Sequence, residues 1–138
     1  MNDKLKDVVA ALDGVTTPAG MAIHAAIVEG ESGLLKVEIE DREEFPIMIE
    51  FSTDQITAVA NLWKHSDVKA GMEAEMMNIM LSMNIAMPLS SFAKTAGTYQ
   101  LFGAMSVNTL MENIVEEITV LSDNTLAVFD ALGEYLTA

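Results

Sequence analysis

Residues 35–51 read Leu-Lys-Val-Glu-Ile-Glu-Asp-Arg-Glu-Glu-Phe-Pro-Ile-Met-Ile-Glu-Phe, and this stretch decides the fold class. Apolar and polar side chains alternate over 35–40, which predicts a strand with one buried face. An acidic loop follows at 41–44. Apolar side chains then alternate again over 47–51, and Pro46 suits the first residue of a strand or an edge. Two strands joined by so short a loop form an antiparallel pair.

The meander extends toward the N-terminus. Residues 21–28 place apolar side chains on both sides of a strand, so we expect both of its faces to be covered. The connection 29–33 contains two glycines, which suit a hairpin between this strand and the next. Upstream of it, apolar residues at helical spacing predict a short helix over 3–12.

The segment after the third strand has the features of a helix. Ser, Thr and Asp at 52–54 supply side-chain oxygens that cap helices. The next apolar residues keep a helical spacing: Ile56, Val59, Ala60 and Trp63. Lys64 and His65 then lie at the C-terminal end of this predicted helix, where a cation is favoured by the helix dipole. A second helix is predicted over 67–86, with Asp67 as its cap and Pro88 beyond its end.

Two strands and a long helix complete the chain. Residues 89–95 and 98–107 are predicted to form a hairpin through Ala96 and Gly97. The final helix is predicted from about residue 108, with only a hint of a break at 122–124. Its apolar seam alternates three- and four-residue steps: Met111, Ile114, Ile118, Leu121, Thr125, Val128, Leu132 and Tyr135.

These elements occur in the order α-βββ-αα-ββ-α within a single domain, 1–138. This order predicts an α+β fold in which a five-stranded, mostly antiparallel sheet packs on helices. The seam of the final helix is expected to cover the sheet. A weaker second face of that helix, formed by Leu110, Val115 and Leu126, carries the hypothesis of a homodimer contact.

Composition excludes several classes of function. The chain has 21 Asp and Glu against 7 Lys and Arg, and its net charge of −14 disfavours nucleic acids and anionic lipid surfaces. With no cysteine there is no disulfide framework and no thiolate metal site. No apolar run approaches the roughly 18 residues that cross a bilayer, and the charged N-terminus lacks the features of a secretion signal. We therefore expect a cytoplasmic protein that is not inserted in a membrane.

Catalytic groups are scarce. The common nucleophile, phosphate-binding and zinc-protease motifs are absent, and we expect structural roles for His24 and His65, with His24 partly buried beside a hydrogen-bond partner. The acidic stretch 38–50 supports the alternative of a small metal-dependent enzyme or ligand-binding protein, although its spacing does not match a calcium loop. The leading hypothesis is a protein that is not an enzyme and needs no cofactor or metal.

Methionine is the most informative excess in the composition. Six of the chain's methionines fall between 72 and 87. Such a helix either fills irregular core space or offers an adaptable groove for a helix or peptide. The hypothesis of a binding groove assigns partner contacts to four residues: Met72, Met76, Met80 and Met83.

Three short segments carry a resemblance to a known family: Leu-Trp at 62–63, Pro-Leu-Ser at 88–90 and Phe-Gly-Ala-Met-Ser at 102–106. Together with the pattern of 116–121, they resemble the YjfI family of uncharacterised bacterial proteins over nearly the full chain. The resemblance implies no catalytic residue. It implies an accessory role in envelope stress, because members are often encoded beside a coiled-coil protein similar to phage-shock protein A, which becomes the expected partner.

The order of the elements also resembles the type III secretion chaperone fold, whose members bind client segments without doing chemistry. This likeness is one of topology, and it favours a protein-binding, chaperone-like accessory module.

Overall fold

The computed structural model describes residues 2–30 and 33–137. In this part of the chain, 3₁₀ turns lie at His65–Asp67 and Gly133–Tyr135. The α-helices are α1 (Asn2–Leu12), α2 (Glu73–Met83) and α3 (Met111–Leu132). The strands are β1 (Ile23–Ile27), β2 (Leu34–Ile39), β3 (Ile47–Phe51), β4 (Gln55–Lys64), β5 (Ser91–Thr95) and β6 (Thr98–Ser106).

These strands form one antiparallel sheet in the spatial order β1-β2-β3-β4-β6-β5. The edge strands are β1 and β5. The three helices pack on one face of the sheet, and the alternate side chains of the strands on that face are buried. The expected α+β class is confirmed, with six strands in place of five.

The predicted helix after the third strand is wrong, because these residues form strand β4. Ile56, Ala58 and Ala60 alternate into the core, and β4 pairs with β3 on one side and β6 on the other. The hydroxyl of Ser52 accepts hydrogen bonds from the backbone N–H groups of the next residues and donates to the carbonyl of Gln55, which closes a tight turn. The observed element order is therefore α-ββββ-α-ββ-α.

The predicted helix over 67–86 is shorter in the structure, where α2 occupies Glu73–Met83. Asp67 belongs to the preceding 3₁₀ turn, and its carboxylate accepts a hydrogen bond from the Lys64 N–H at 3.0 Å. Gly71, with a φ of 79°, then redirects the chain into α2. His65 therefore lies before α2 and not at the end of a helix.

Two expectations about burial are also corrected. The outer face of β1 is exposed at His24 and Ala26, so only one face of this edge strand is covered. The His24 ring lies 3.7 Å from the Asp13 carboxylate with two thirds of its side chain exposed. The predicted hairpin through Ala96 and Gly97 is confirmed, and both turn residues have positive φ, as a two-residue hairpin turn requires.

Helix α3 is continuous over Met111–Leu132, with no break at 122–124. The polar residues there have specific contacts. The buried hydroxyl of Thr125 donates to the carbonyl of Leu121 at 2.8 Å, and Ser122 accepts a hydrogen bond from Arg42 at 3.0 Å. The apolar seam covers the sheet as expected, and its buried members are Ile114, Ile118, Leu121, Thr125, Val128, Leu132 and Tyr135.

Gly103 is a point of close approach between β6 and α3. A Cβ atom at this position would lie 2.5 Å from the Glu117 Oε2 atom and 3.0 Å from the backbone oxygen of Leu89. The absence of a side chain therefore allows the Glu117 carboxyl and the segment before β5 to pack against the strand.

We expect Gly103→Ala to lower the free energy of unfolding by about 1 kcal/mol, because the added methyl group must displace the carboxylate end of the Glu117 side chain and press against the Leu89 carbonyl oxygen. Urea unfolding followed by circular dichroism measures the change. The matched control is Ala104→Ser, on the exposed side of the same strand, which should stay within about 0.5 kcal/mol of the wild type. Equal stability of the two variants would contradict the close packing.

Candidate functional site

The methionines of α2 mark its inward face. Met76 and Met80 are 0% and 3% exposed and belong to the hydrophobic core, while Met72 and Met83 are partly buried against it. These contacts hold α2 on the sheet. The role of the four residues in binding a partner stays a prediction, and the surface that α2 offers to solvent lies on its other side.

The first turn of α2 is anchored by the carboxylate of Glu73. One of its oxygens accepts a hydrogen bond from the Tyr99 hydroxyl, lies 2.6 Å from Nδ1 of His65, and lies 3.3 Å from Nζ of Lys94. The Lys94 ammonium also lies 5.1 Å from the centre of the Tyr99 ring. One carboxylate thus joins α2 to β5, β6 and the turn after β4.

This arrangement shifts the ionisation of both acidic partners. The Tyr99 hydrogen bond, followed by those of His65 and Lys94, lowers the pKa of Glu73 from 4.5 to about 2. Burial, and then the bond to Glu73, raises the pKa of Tyr99. Glu73 is therefore a stable anion at neutral pH and Tyr99 a stable hydrogen-bond donor. This cluster has the character of an anchor for α2 rather than of a general acid or base.

A row of exposed apolar side chains begins on the outward face of α2 and continues into the turn that follows it. We call this row the α2 stripe, and its members follow one another at four-residue intervals: Met77, Leu81, Ile85 and Leu89. Leu81 is 68% exposed and Ile85 is 96% exposed. The whole segment 76–93 contains no charged residue, although the chain is 20% charged. An uncharged apolar surface of this kind is unusual on an acidic protein and typical of an interaction site.

The turn that continues the stripe beyond α2 is fixed by two asparagines. The Asn124 amide of α3 donates to the carbonyl of Pro88 at 2.9 Å and to the hydroxyl of Ser90 at 3.0 Å. The Asn84 side chain accepts a hydrogen bond from the Phe92 N–H at 2.9 Å. Leu89 is held at a φ of 59°, which a branched side chain rarely adopts. The exposed side chains are thus presented in a defined arrangement.

An apolar groove of about 130 Å³ lies beside the stripe, between α2 and the edge strand β5. We call it the α2–β5 groove, and its lining residues are Met77, Met80, Leu81, Phe92, Ala93, Lys94 and Tyr99. Met80, one of the four predicted partner-binding methionines, is among these lining residues, although only 3% of it is exposed. β5 is an edge strand, and among the described residues no strand pairs with its outer edge.

The acidic stretch 38–50 is spread over two strands and a loop. The Glu40 carboxylate accepts a hydrogen bond from the Ala22 N–H at 3.2 Å, and Arg42, within this stretch, donates to the Asp123 carboxylate of α3 at 2.6 Å. Within residues 2–30 and 33–137, no group of three or more His, Cys, Asp or Glu side chains is arranged to hold a metal ion. The alternative of a metal-dependent enzyme stays a prediction.

Sequence reasoning missed the anchor at Glu73 and the exact place of the stripe. The anchor joins residues that are far apart in the chain, so no local spacing could have revealed it. The stripe could have been inferred from the sequence, because residues 76–93 contain no charged residue. The prediction chose Met72, Met76, Met80 and Met83, which lie on the inward side of the helix. The exposed residues are instead Met77, Leu81, Ile85 and Leu89.

Comparisons with known proteins agree with the fold. A family model described as "Uncharacterized protein conserved in bacteria (DUF2170)" matches residues 3–136. The expected membership of an uncharacterised bacterial family is thereby confirmed, while the name YjfI stays a prediction. No curated protein matches the chain in sequence. Across the part of the chain that the structure describes, no helix combines the length and apolarity needed to cross a bilayer.

Solved structures share the fold at low sequence identity. YbjN from E. coli is 11% identical, covers 100% of this chain and 96% of its own, and has a TM-score of 0.65. The HopA1-SchA chaperone-effector complex contains a chain that is 13% identical, with coverage of 91% and 90% and a TM-score of 0.60. The ExoU-SpcU complex from the type III secretion system of Pseudomonas aeruginosa contains one that is 12% identical, with coverage of 74% and 84% and a TM-score of 0.59. The expected type III secretion chaperone-like fold is confirmed.

The anchor predicts a specific dependence of stability on pH. The folded state lowers the pKa of Glu73 from 4.5 to about 2. The ionised carboxylate therefore stabilises the folded state fully above pH 4.5, and this stabilisation is lost as the pH falls toward 2. Glu73→Gln should therefore be less stable than the wild type at pH 6, and this difference should shrink steadily between pH 4.5 and 2. Thermal or urea unfolding across that range measures it.

The matched control is Glu75→Gln, which removes the same charge from the same turn of α2 without removing contacts to Tyr99, His65 or Lys94. Its difference from the wild type should not follow the same pH profile. A Glu73→Gln difference that is independent of pH would show that the carboxylate does not anchor α2.

Proposed function

The chain belongs to the DUF2170 family of uncharacterised bacterial proteins, and we propose that it is a non-enzymatic module that binds a segment of another protein through the α2 stripe and the adjoining α2–β5 groove. The function is chaperone-like in the sense that the module shields an apolar segment of its partner. The observation that carries the proposal is the uncharged, exposed apolar row on a chain of net charge −14.

The energetics of the stripe favour a protein partner. Removing apolar surface from water contributes about 25 cal/mol per Å², so burying the exposed parts of several large side chains supplies several kcal/mol of binding free energy. The turn after α2 is already held by Asn84 and Asn124, which limits the entropy lost when a partner binds. The stripe and groove therefore offer exposed apolar surface on a backbone that is already ordered before a partner binds.

The structural relatives support the same role. HopA1-SchA is a chaperone-effector complex, and ExoU-SpcU is a heterodimeric complex of a type III secretion system. Each contains a chain of this fold alongside another protein. Because the identities are low, the likeness shows the fold alone, and the surface of this chain carries the argument for function.

We propose a coiled-coil protein similar to phage-shock protein A as the partner. Met77 and Leu81 lie four residues apart on α2, and ridges of this spacing pack against the grooves of another helix. An amphipathic helix of a coiled coil offers a matching apolar row. This partner class is supported by the family resemblance and by the helical spacing of Met77 and Leu81. With such a partner, we expect the protein to act in the cytoplasm.

Two further predictions belong to this proposal. Met80 contributes by forming part of the lining of the α2–β5 groove, while Met72, Met76 and Met83 contribute by holding α2 in place. A homodimer through the second face of α3 also stays a prediction, and the structure leaves its members Leu110 and Leu126 exposed.

We expect the double substitution Leu81→Glu with Ile85→Glu to weaken binding to the partner at least about tenfold, because two carboxylates would replace the most exposed apolar side chains of the stripe. Photo-crosslinking from positions 81 and 85 in the native bacterium identifies the partner, and titration of the purified partner measures its affinity. Because both side chains are exposed, each substitution should change the free energy of unfolding by no more than about 0.5 kcal/mol.

Leu110 provides the matched control, because it is 61% exposed and lies outside the stripe. A crosslinker at 110 should give no adduct with the same protein, and Leu110→Glu should bind it normally. Equal adducts from 81, 85 and 110, or no adduct from 81 and 85, would contradict the proposed site. A partner without heptad repeats would contradict the coiled-coil class alone.

A further inference from the structure

A second and larger groove lies between the outer surface of α3 and the turn that precedes β1. Its volume is about 580 Å³, which falls within the range of roughly 300–1,000 Å³ found for ligand sites. We call it the α3 groove, and the residues that carry the argument are Pro18, Met21, Glu112, Val115, Glu116 and Val120. None of them belongs to the α2 stripe.

The groove is apolar at its base and acidic at its margin. Met21, Val115 and Val120 are partly buried, whereas Glu112 and Glu116 are exposed on the helix above them. One wall is the turn 17–21, in which the Thr17 N–H donates to the Met21 carbonyl at 2.8 Å and the Thr17 hydroxyl accepts from the Met21 N–H at 3.2 Å. This wall is ordered before any ligand arrives.

The charges of α3 are unbalanced at this groove. Every charged residue of the helix is acidic: Glu112, Glu116, Glu117, Asp123 and Asp130. Glu112 and Glu116 are four residues apart on one face, where like charges repel. Among the described side chains, none forms an ion pair or hydrogen bond with either carboxylate. The negative charge of α3 also affects a partly buried neighbour, because burial, and then the charge of Glu116, raises the pKa of Glu117.

The opposite end of the groove shows how this surface accommodates a cation. Asp123 pairs with the Arg42 guanidinium at 2.6 Å, and the same nitrogen donates to the Ser122 hydroxyl at 3.0 Å. The protein therefore supplies its own cation at one end of the groove. At the Glu112 and Glu116 end, the described part of the chain supplies none.

We propose that the α3 groove binds an extended cationic peptide segment of another protein, whose apolar side chains contact Met21, Val115 and Val120 and whose Lys or Arg side chains pair with Glu112 and Glu116. The groove runs along about 17 Å of helix between Glu112 and Asp123, a length that about five extended residues span. In a bound peptide whose apolar and basic residues alternate, the apolar side chains would contact the base of the groove and the basic side chains its acidic margin.

Charge complementarity selects this occupant over a second copy of the chain. A second copy brings a further net charge of −14, with only 7 Lys and Arg against 21 acidic residues. Two-fold pairing through this face, which the homodimer prediction for Leu110, Val115 and Leu126 requires, would also bring the Glu112 and Glu116 carboxylates of both copies together. The cationic segment and that homodimer are therefore alternatives. A cationic segment relieves the repulsion instead, and it is attracted over distance by the acidic surface.

The test uses a fluorescent peptide of four Leu-Lys repeats and the full-length protein, with binding followed by fluorescence anisotropy at low and high salt. Glu112→Gln with Glu116→Gln should weaken binding about fivefold at low salt, and raising the salt should reduce that difference. A Ser-Lys peptide of the same charge should bind more weakly than the Leu-Lys peptide, because it cannot use the apolar base of the groove.

The matched control is Asp130→Asn with Glu134→Gln, which removes two exposed carboxylates at the same four-residue spacing near the far end of α3. It should bind the Leu-Lys peptide like the wild type, and so should Leu81→Glu with Ile85→Glu. Equal losses in both carboxylate pairs would reduce the effect to overall charge and overturn the proposal. Loss confined to the Leu81 and Ile85 variant would move the binding to the α2 stripe and also overturn it.

A simple cation site is the remaining outcome that would overturn the proposal. In that case Ca²⁺ at millimolar concentration would raise the melting temperature of the wild type but not of the Glu112→Gln, Glu116→Gln variant, and the Leu-Lys peptide would not bind. Circular dichroism of each variant establishes that it is folded. Because the α3 groove and the α2 stripe are tested with different substitutions, failure of one proposal leaves the other intact.

Discussion

The pairing of β4 with both β3 and β6 is the constraint on which the rest of the structure depends. The N-terminal meander ends at β4, and β6 arrives only after α2 and β5 have intervened. Because β4 donates and accepts hydrogen bonds on both sides, it joins the two parts of the chain into one sheet. The small residues Ala58 and Ala60 on its inner face leave room for α3, whose apolar seam then completes the core. The positions of α2 and of both grooves follow from this arrangement.

The sequence predicted the alternating strands and misassigned β4, and the reason is local geometry. In β2 and β3 every second residue is apolar, so the strand period is unmistakable. In β4, Ile56, Ala58 and Ala60 share a face, but the register shifts between Asn61 and Lys64 and returns Trp63 to the core. This irregularity breaks the two-residue period and produces spacings that also fit a helix. Alternation alone could not decide the assignment, since the partner strand β6 lies some forty residues farther along the chain.

The candidate site was predictable to the extent that it depends on local composition. An uncharged run in an acidic chain is visible without a structure, and it contains the α2 stripe. The side of α2 that faces solvent could not be predicted, because methionine, leucine and isoleucine occupy both sides of the helix. The apolar residues therefore do not mark one face as the buried one. The structure decides the orientation through the Glu73 anchor, whose partners come from three other parts of the chain. Polar residues that weakened the helical pattern of α3, such as Asn124, likewise act through contacts with distant segments.

The acidity of the chain and its exposed apolar row are physically linked. A row of large apolar side chains on a neutral surface promotes association between copies and aggregation. A net charge of −14 opposes that association, because copies must approach against their mutual repulsion before the rows can meet. The same charge does not oppose a neutral or cationic partner, and it accelerates the approach of a cationic one. The net charge therefore opposes contact between the α2 stripes of two copies of the chain, so the stripe can remain exposed. It does not oppose contact between the stripe and a neutral or cationic protein.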